Sequence, residues 1–141
     1  RALVSELALM KSPHAISDLP RAALEQAEVL HGLSKLVMKE GKVMGKIAYM
    51  ETEQHSTGSV AKLLLGANDV PLGAAFRAKG RGGWCEVSLR GTSAVKVHLG
   101  KAIGEIAERF GGNGGGHRVA AGCSVPKGRV MDVIEELNRR L

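Results

Sequence analysis

Apolar residues along this chain recur every three or four positions over some stretches and every second position over others. The switch between the two periods marks out its elements. Leu3, Val4, Leu7, Leu9 and Met10 predict a short helix that breaks before Pro13. Ser17-Asp18-Leu19-Pro20 then gives a helix start, with Asp18 as candidate cap and Pro20 in the first turn. The stripe Leu24, Ala27, Leu30, Leu33, Val37 carries this second helix to Glu40, where Gly41 stops it. A stripe of that kind predicts a connector packed along one side.

Lys42 to Met50 alternates imperfectly and predicts one strand, followed by the polar loop 51–58. Ser59 or a neighbour caps a short helix that runs through Leu65 and ends at Gly66. Pro71 to Ala78 and Trp84 to Arg90 read as antiparallel strands joined by the turn Lys79-Gly-Arg-Gly-Gly83. In the second of these, Cys85, Val87 and Leu89 share one face, while Glu86, Ser88 and Arg90 share the other. Helical spacing returns over Val97 to Phe110, a small-residue strand over Val119 to Val125, and a closing helix over Arg129 to Leu141. The expected architecture is α/β: a mixed β-sheet flanked by helices in a single compact domain, with an N-terminal connector helix. Residues 1–40 form the connector and residues 41–141 the domain.

One stretch fits neither period. Phe110-Gly-Gly-Asn-Gly-Gly-Gly-His117-Arg-Val-Ala-Ala-Gly122 has no side chains to pattern. Glycines admit φ > 0 and close approach to the main chain, and successive N–H groups in such a turn form an anion-binding concavity. Asn113, Gly114, Gly115 and Gly116, with the donors of His117 and Arg118, therefore predict a phosphate-handling loop; the bland alternative is a flexible linker. Two familiar glycine loops do not fit. A Walker A loop needs Lys and then Ser or Thr where His117 and Arg118 stand, and the dinucleotide fingerprint needs a third glycine at His117.

Composition changes this picture little. Over 141 residues the net charge is +6, which favours a polyanionic partner, and 44% hydrophobic with 24% charged residues is ordinary for a globular chain. No apolar run reaches the length of a spanning helix, so no membrane partner is expected. Aromatics make up only 3%, which argues against a base-stacking platform of the oligonucleotide-fold kind. Arg77, Lys79 and Arg81 cluster at a hairpin, as a solvated turn or a nucleic-acid track. Cys85 and Cys123 form no C-x-x-C pair, and with no secretory signal the expected location is cytoplasmic. Asp18, Asp69 and Asp132 are scattered, so no catalytic residue and no metal site is expected within this chain.

Gly114-Gly-Gly-His117-Arg-Val-Ala-Ala-Gly122 resembles the G-G-G-H-x-x-A-A-G signature of the DHH-associated domain, the C-terminal substrate-binding domain of DHH phosphoesterases such as RecJ-like single-strand nucleases. Val87-Ser-Leu-Arg90-Gly-Thr92 resembles that family's V-S-L-R-S strand, and the doubled glycine run looks more like archaeal RecJ-like members. The resemblance covers about Gly41 to Leu141 and implies that Ser88, Arg90, Asn113 to His117 and Arg118 bind substrate phosphate. His55 is a further candidate, because it loosely resembles a histidine before a helix start in bacterial RecJ, although its spacing does not match. The resemblance also implies a single-stranded nucleic acid or short oligonucleotide as partner. It places manganese or magnesium in an N-terminal catalytic domain absent from this chain; the start at Arg1 suits such an excision. Two alternatives stay open: a tRNA-binding domain of an alanyl-tRNA synthetase-like protein, and the substrate domain of a small-nucleotide or cyclic-dinucleotide phosphodiesterase.

Overall fold

The computed structural model describes residues 21–141. The expected helix over residues 3–10 and the cap at Asp18 lie outside them. The chain divides into two units, Arg1–Gly32 and Leu33–Leu141. Helix α1 (Arg21–Glu40) starts in the first and ends in the second. Its expected stripe is buried only at Leu33 and Val37, while Leu24 and Leu30 are 51% and 46% exposed. Gly41 ends the helix, its N–H donating to the Val37 carbonyl at 2.9 Å.

The second unit is built on a six-stranded sheet of order β1-β2-β3-β4-β6-β5. The strand expected over 42–50 is in fact a hairpin, β1 (Lys42–Met44) and β2 (Ile47–Glu51). The chain reverses at Gly45, whose φ of 58° only glycine adopts without strain. Helix α2 (Thr57–Ala67) starts earlier than expected, capped by Ser56, whose hydroxyl accepts from the Ser59 N–H. Gly66 lies inside this helix instead of ending it. Strands β3 (Leu72–Lys79) and β4 (Trp84–Gly91) form the expected antiparallel hairpin, and β2 pairs parallel with β3 across the α2 crossover. Helix α3 (Leu99–Arg109) follows, capped by the His98 imidazole, which accepts from the Lys101 N–H.

Asn113–Gly116, expected as a loop, is instead a strand, β5, at the sheet edge, paired antiparallel with β6 (Ala120–Pro126). A short 3-10 turn (Lys127–Arg129) leads into α4 (Val130–Arg140). β5 has no side chain to fill the space beneath a helix, so α3 descends until backbone meets backbone. A Cβ on Gly100 would collide with the Gly116 backbone, and one on Gly104 would stand 3.2 Å from the Gly114 carbonyl. The run is glycine partly because this contact leaves no room for anything larger.

The sheet's two faces are covered unequally. Cys85, Val87 and Leu89 of β4 pack with Ala121, Cys123 and Val125 of β6 into the larger core beneath α3 and α4. On the other face, Leu33, Val37, Val60, Ala61 and Leu64 of α1 and α2 pack against Ala48, Met50 and Ala75 of β2 and β3, and the N-terminus of α2 reaches over β4 at Ser88 and Arg90. Gly73 lets α2 sit close, since a Cβ there would collide with the Ala61 carbonyl. Over β6 and β5 this second core contains no side chain, and among the described residues that part of the face stays open.

These contacts separate two kinds of glycine. Gly73→Ala should destabilise by about 1–3 kcal/mol through overpacking. Gly66→Ala, on an exposed helical turn with nothing near its Cβ position, should stabilise by about 0.4–1 kcal/mol. Urea unfolding of both variants checks this, and equal stabilities would refute the close packing of α2.

Candidate functional site

Strand alternation and register decide what stands on the open face. Ser88 of β4 lies opposite Gly122 of β6, which lies opposite Gly115 of β5. One step along, Arg90 lies opposite Ala120, and the His117 N–H donates to the Ala120 carbonyl at 2.8 Å, extending the β5–β6 register to His117. Arg90 and His117 therefore occupy one transverse row, two strands or about 10 Å apart, with only Ala120 between them. In the other direction Glu86, Ser124 and Asn113 form the next row. The result is a floor of Gly115, Gly122 and Ala120 with polar groups on its borders.

The N-terminus of α2 closes one side. Thr57 is buried, and its hydroxyl shares a 2.7 Å hydrogen bond with the Ser88 hydroxyl. Gly58 lies against the Arg90 guanidinium: a Cβ there would be 2.6 Å from Nη2. Arg90 donates through Nη1 to the Leu89 carbonyl at 2.8 Å, and no carboxylate pairs with it among the described residues. By contrast Arg77 is bound to Glu86 at 2.7 Å, which neutralises the one carboxylate of the floor's border. An unpaired guanidinium beside the positive end of an 11-residue helix, with hydroxyls and bare backbone around it, is an arrangement that attracts anions. The sequence reading missed the α2 N-terminus; Ser56 ahead of an apolar run was the available signal.

The glycines of the run are not equivalent. Gly111 and Gly116 have φ of 86° and 140°. At Gly112 a Cβ would collide with the Ser124 carbonyl, and at Gly114 it would meet Cys123 at 2.7 Å. Gly115 has neither constraint, and a Cβ there would meet nothing within 4 Å. Arg118 is placed differently from the other candidates. Its guanidinium donates to the Val95 carbonyl at 2.9 Å, in the loop before α3, so it braces that loop. His55 precedes the α2 cap but lines a separate hollow with Leu36, Glu40, Glu51 and Glu53.

Residues 41–141 match the family described as the DHHA1 domain. Among solved structures, a pGpG-specific phosphodiesterase, PggH, of Vibrio cholerae is 17% identical with a TM-score of 0.57, covering 99% of this chain and 48% of its own. RecJ of Thermus thermophilus, solved with magnesium, is 18% identical at a TM-score of 0.57, covering 82% and 18%. The C-Ala domain of Aquifex aeolicus alanyl-tRNA synthetase is 17% identical at 0.53, covering 72% and 97%. At these identities the likeness is one of fold. The chain thus spans about half the length of the Vibrio protein and less of RecJ. No curated protein matches the sequence.

Among the described residues no three of His, Cys, Asp and Glu gather as metal ligands would, so the residues present do not fit a metal centre. The two thiols are free and buried under α3 and α4, on the face away from the floor. Burial pushes the Cys123 thiol up to about 12, with Cys85 adding to the effect. Burial raises Cys85 too, Glu51 adding to the rise and Lys127 opposing it. Neither is a nucleophile near neutrality. Against an ordinary thiol at 9.0, Cys123 carries about a thousandfold less thiolate at pH 8. The folded chain should react with a disulfide reagent at that pH orders of magnitude more slowly than the unfolded chain. Rapid native labelling would refute the burial of both sulfurs.

Proposed function

The chain belongs to the DHHA1 domain family, and we propose that its open sheet face binds the phosphates of a single-stranded nucleic acid or short oligonucleotide for a RecJ-like DHH phosphoesterase. In this reading hydrolysis, with its manganese or magnesium, resides in a catalytic domain elsewhere in a cytoplasmic parent protein. The observation that supports the reading best is Gly115. It is a glycine that neither φ nor packing requires, standing in one row with Gly122 and Ser88 beside an Arg90 without a carboxylate partner among the described residues. An empty Cβ position lets a phosphate approach the β5 backbone, where the N–H groups of Gly114 and Gly116 alternate away from β6 at the sheet edge while Gly115 and Gly122 bond each other.

Each group has a distinct part. Arg90 supplies a charge-assisted contact, the α2 N-terminus a favourable dipole, and Ser88, Asn113 and His117 further hydrogen-bonding groups at the border. Such contacts contribute about 1.5–3 kcal/mol each in good geometry, offset by association entropy, so the net affinity is modest.

A salt series of oligonucleotide binding tests this. With roughly two or three phosphates neutralised, log K should fall with log salt at a slope near −2, and Arg90→Ala should flatten it by about 0.7. Gly115→Val should abolish binding with little change in stability, because the side chain has room to stand but fills the phosphate's place. Equal slopes for the parent and Arg90→Ala would remove Arg90 from the site. A marked preference for folded tRNA over single strands would favour the synthetase-like alternative.

The division of labour is tested separately. The purified chain should release no mononucleotides from an oligonucleotide with manganese present. Metal-dependent release that survives controls for contaminating nuclease would overturn it.

A further inference from the structure

Trp84 is the chain's one tryptophan, and it is 39% exposed. It opens β4 on the same face as Glu86, Ser88 and Arg90, directly opposite Lys79 across the β3–β4 hairpin. Together with Lys79, Gly80, Asn113 and Ser124 it lines an open hollow of about 510 Å³. The hairpin backs the ring: a Cβ on Gly82 would stand 3.2 Å from the indole Cδ1. The Gly83 carbonyl accepts from the Lys127 N–H at 2.7 Å, which fixes the turn to the far end of β6. Arg77 is occupied by Glu86, whereas Lys79 and Arg81 pair with no carboxylate among the described residues. An indole, an unpaired ammonium, a carboxamide and a hydroxyl around one hollow match a nucleobase attached to a phosphate better than they match an apolar protein partner.

We propose that Trp84 is a stacking site for one nucleobase of a single strand, set at the far end of the open face from Arg90, with Lys79 taking an adjoining phosphate. This rests on the phosphate-binding reading of the same face. The separation along β4 gives the site its length requirement. Trp84 lies about 13 Å from Ser88 and about 20 Å from Arg90 at the rise of a strand. A nucleotide repeat has twice the backbone bonds of a peptide residue and so spans at most about 7 Å. A strand held at Arg90 therefore reaches the indole only with its second or third neighbouring base, and a dinucleotide falls short. The low aromatic content of the chain argues against a multi-base platform, not against one placed ring.

The lone indole is its own reporter. Its fluorescence is titrated with oligothymidylates of increasing length and with an abasic oligonucleotide of the same length and charge, while anisotropy of end-labelled strands reports binding independently. Quenching should be absent with the dinucleotide and begin at three or four nucleotides. The abasic strand should bind about 5- to 100-fold more weakly than the thymidylate and leave the fluorescence unchanged. Trp84→Ala should lose the same factor on the thymidylate and nothing on the abasic strand, and Trp84→Phe should restore most of it. Equal binding of thymidylate and abasic strands by the unaltered chain would overturn the stacking site, and an Arg90-dependent salt slope would then leave the phosphate face standing. If no strand binds at all, both readings fall.

Discussion

The backbone contact between α3 and β5 is what the open face depends on. A strand of Asn-Gly-Gly-Gly has no apolar side chain to bury, and each glycine costs about 0.5–1 kcal/mol relative to alanine through lost chain entropy. The ladder to β6 on one side and the glycines of α3 beneath hold it in place. Without Gly100 and Gly104 the helix would stand off, and β5 would lose the support that makes it a sixth strand. The same bareness that admits α3 on one side leaves main chain uncovered on the other. Packing and the proposed binding thus draw on alternate residues of one strand: Gly114 and Gly116 inward, Asn113 and Gly115 outward.

How much was legible in the sequence follows from where side chains carry the signal. The β3–β4 hairpin, α3, β6 and α4 were readable because each buries a periodic face under a continuous core. The same alternation correctly set Ser88 and Arg90 apart from Cys85, Val87 and Leu89. The reading failed where periodicity has nothing to act on. A glycine run has no pattern, so a strand looked like a loop. The Gly45 reversal sits inside an alternation that continues on both sides, so a hairpin looked like one strand. The α1 stripe was real as a pattern, but only Leu33 and Val37 are covered within the second unit.

Within the candidate site the limit was different. That Gly115 is unconstrained while Gly112 and Gly114 are not depends on which neighbours lie beneath them, and only the register and the descent of α3 reveal that. Arg118 and His117 are equal as donors in sequence. In the fold one guanidinium braces the Val95 carbonyl, while the other residue continues the β5 register opposite Ala120. Adjacent donors in a motif need not share a task.

Net charge favours an anionic partner without placing it; the pairing of the cations narrows where one would sit. Around α4 the cations are already answered: burial works against ionisation of Glu136, yet Arg139, Arg109 and Arg140 outweigh it and hold that carboxyl below its ordinary range. Arg140 also reaches Glu105, and Arg129 reaches Asp132. Arg90, lying against Gly58 and bonded to the Leu89 carbonyl, meets no carboxylate among the described residues, so its charge is left unanswered beside the floor. A floor of glycine, alanine and hydroxyls beside that charge has little with which to tell one base from another at the phosphate end. In the proposed reading it suits a strand read by its backbone. A modest grip of the proposed kind would become effective where a covalently attached second site raised the local concentration, since linkage multiplies affinities that are weak when separate.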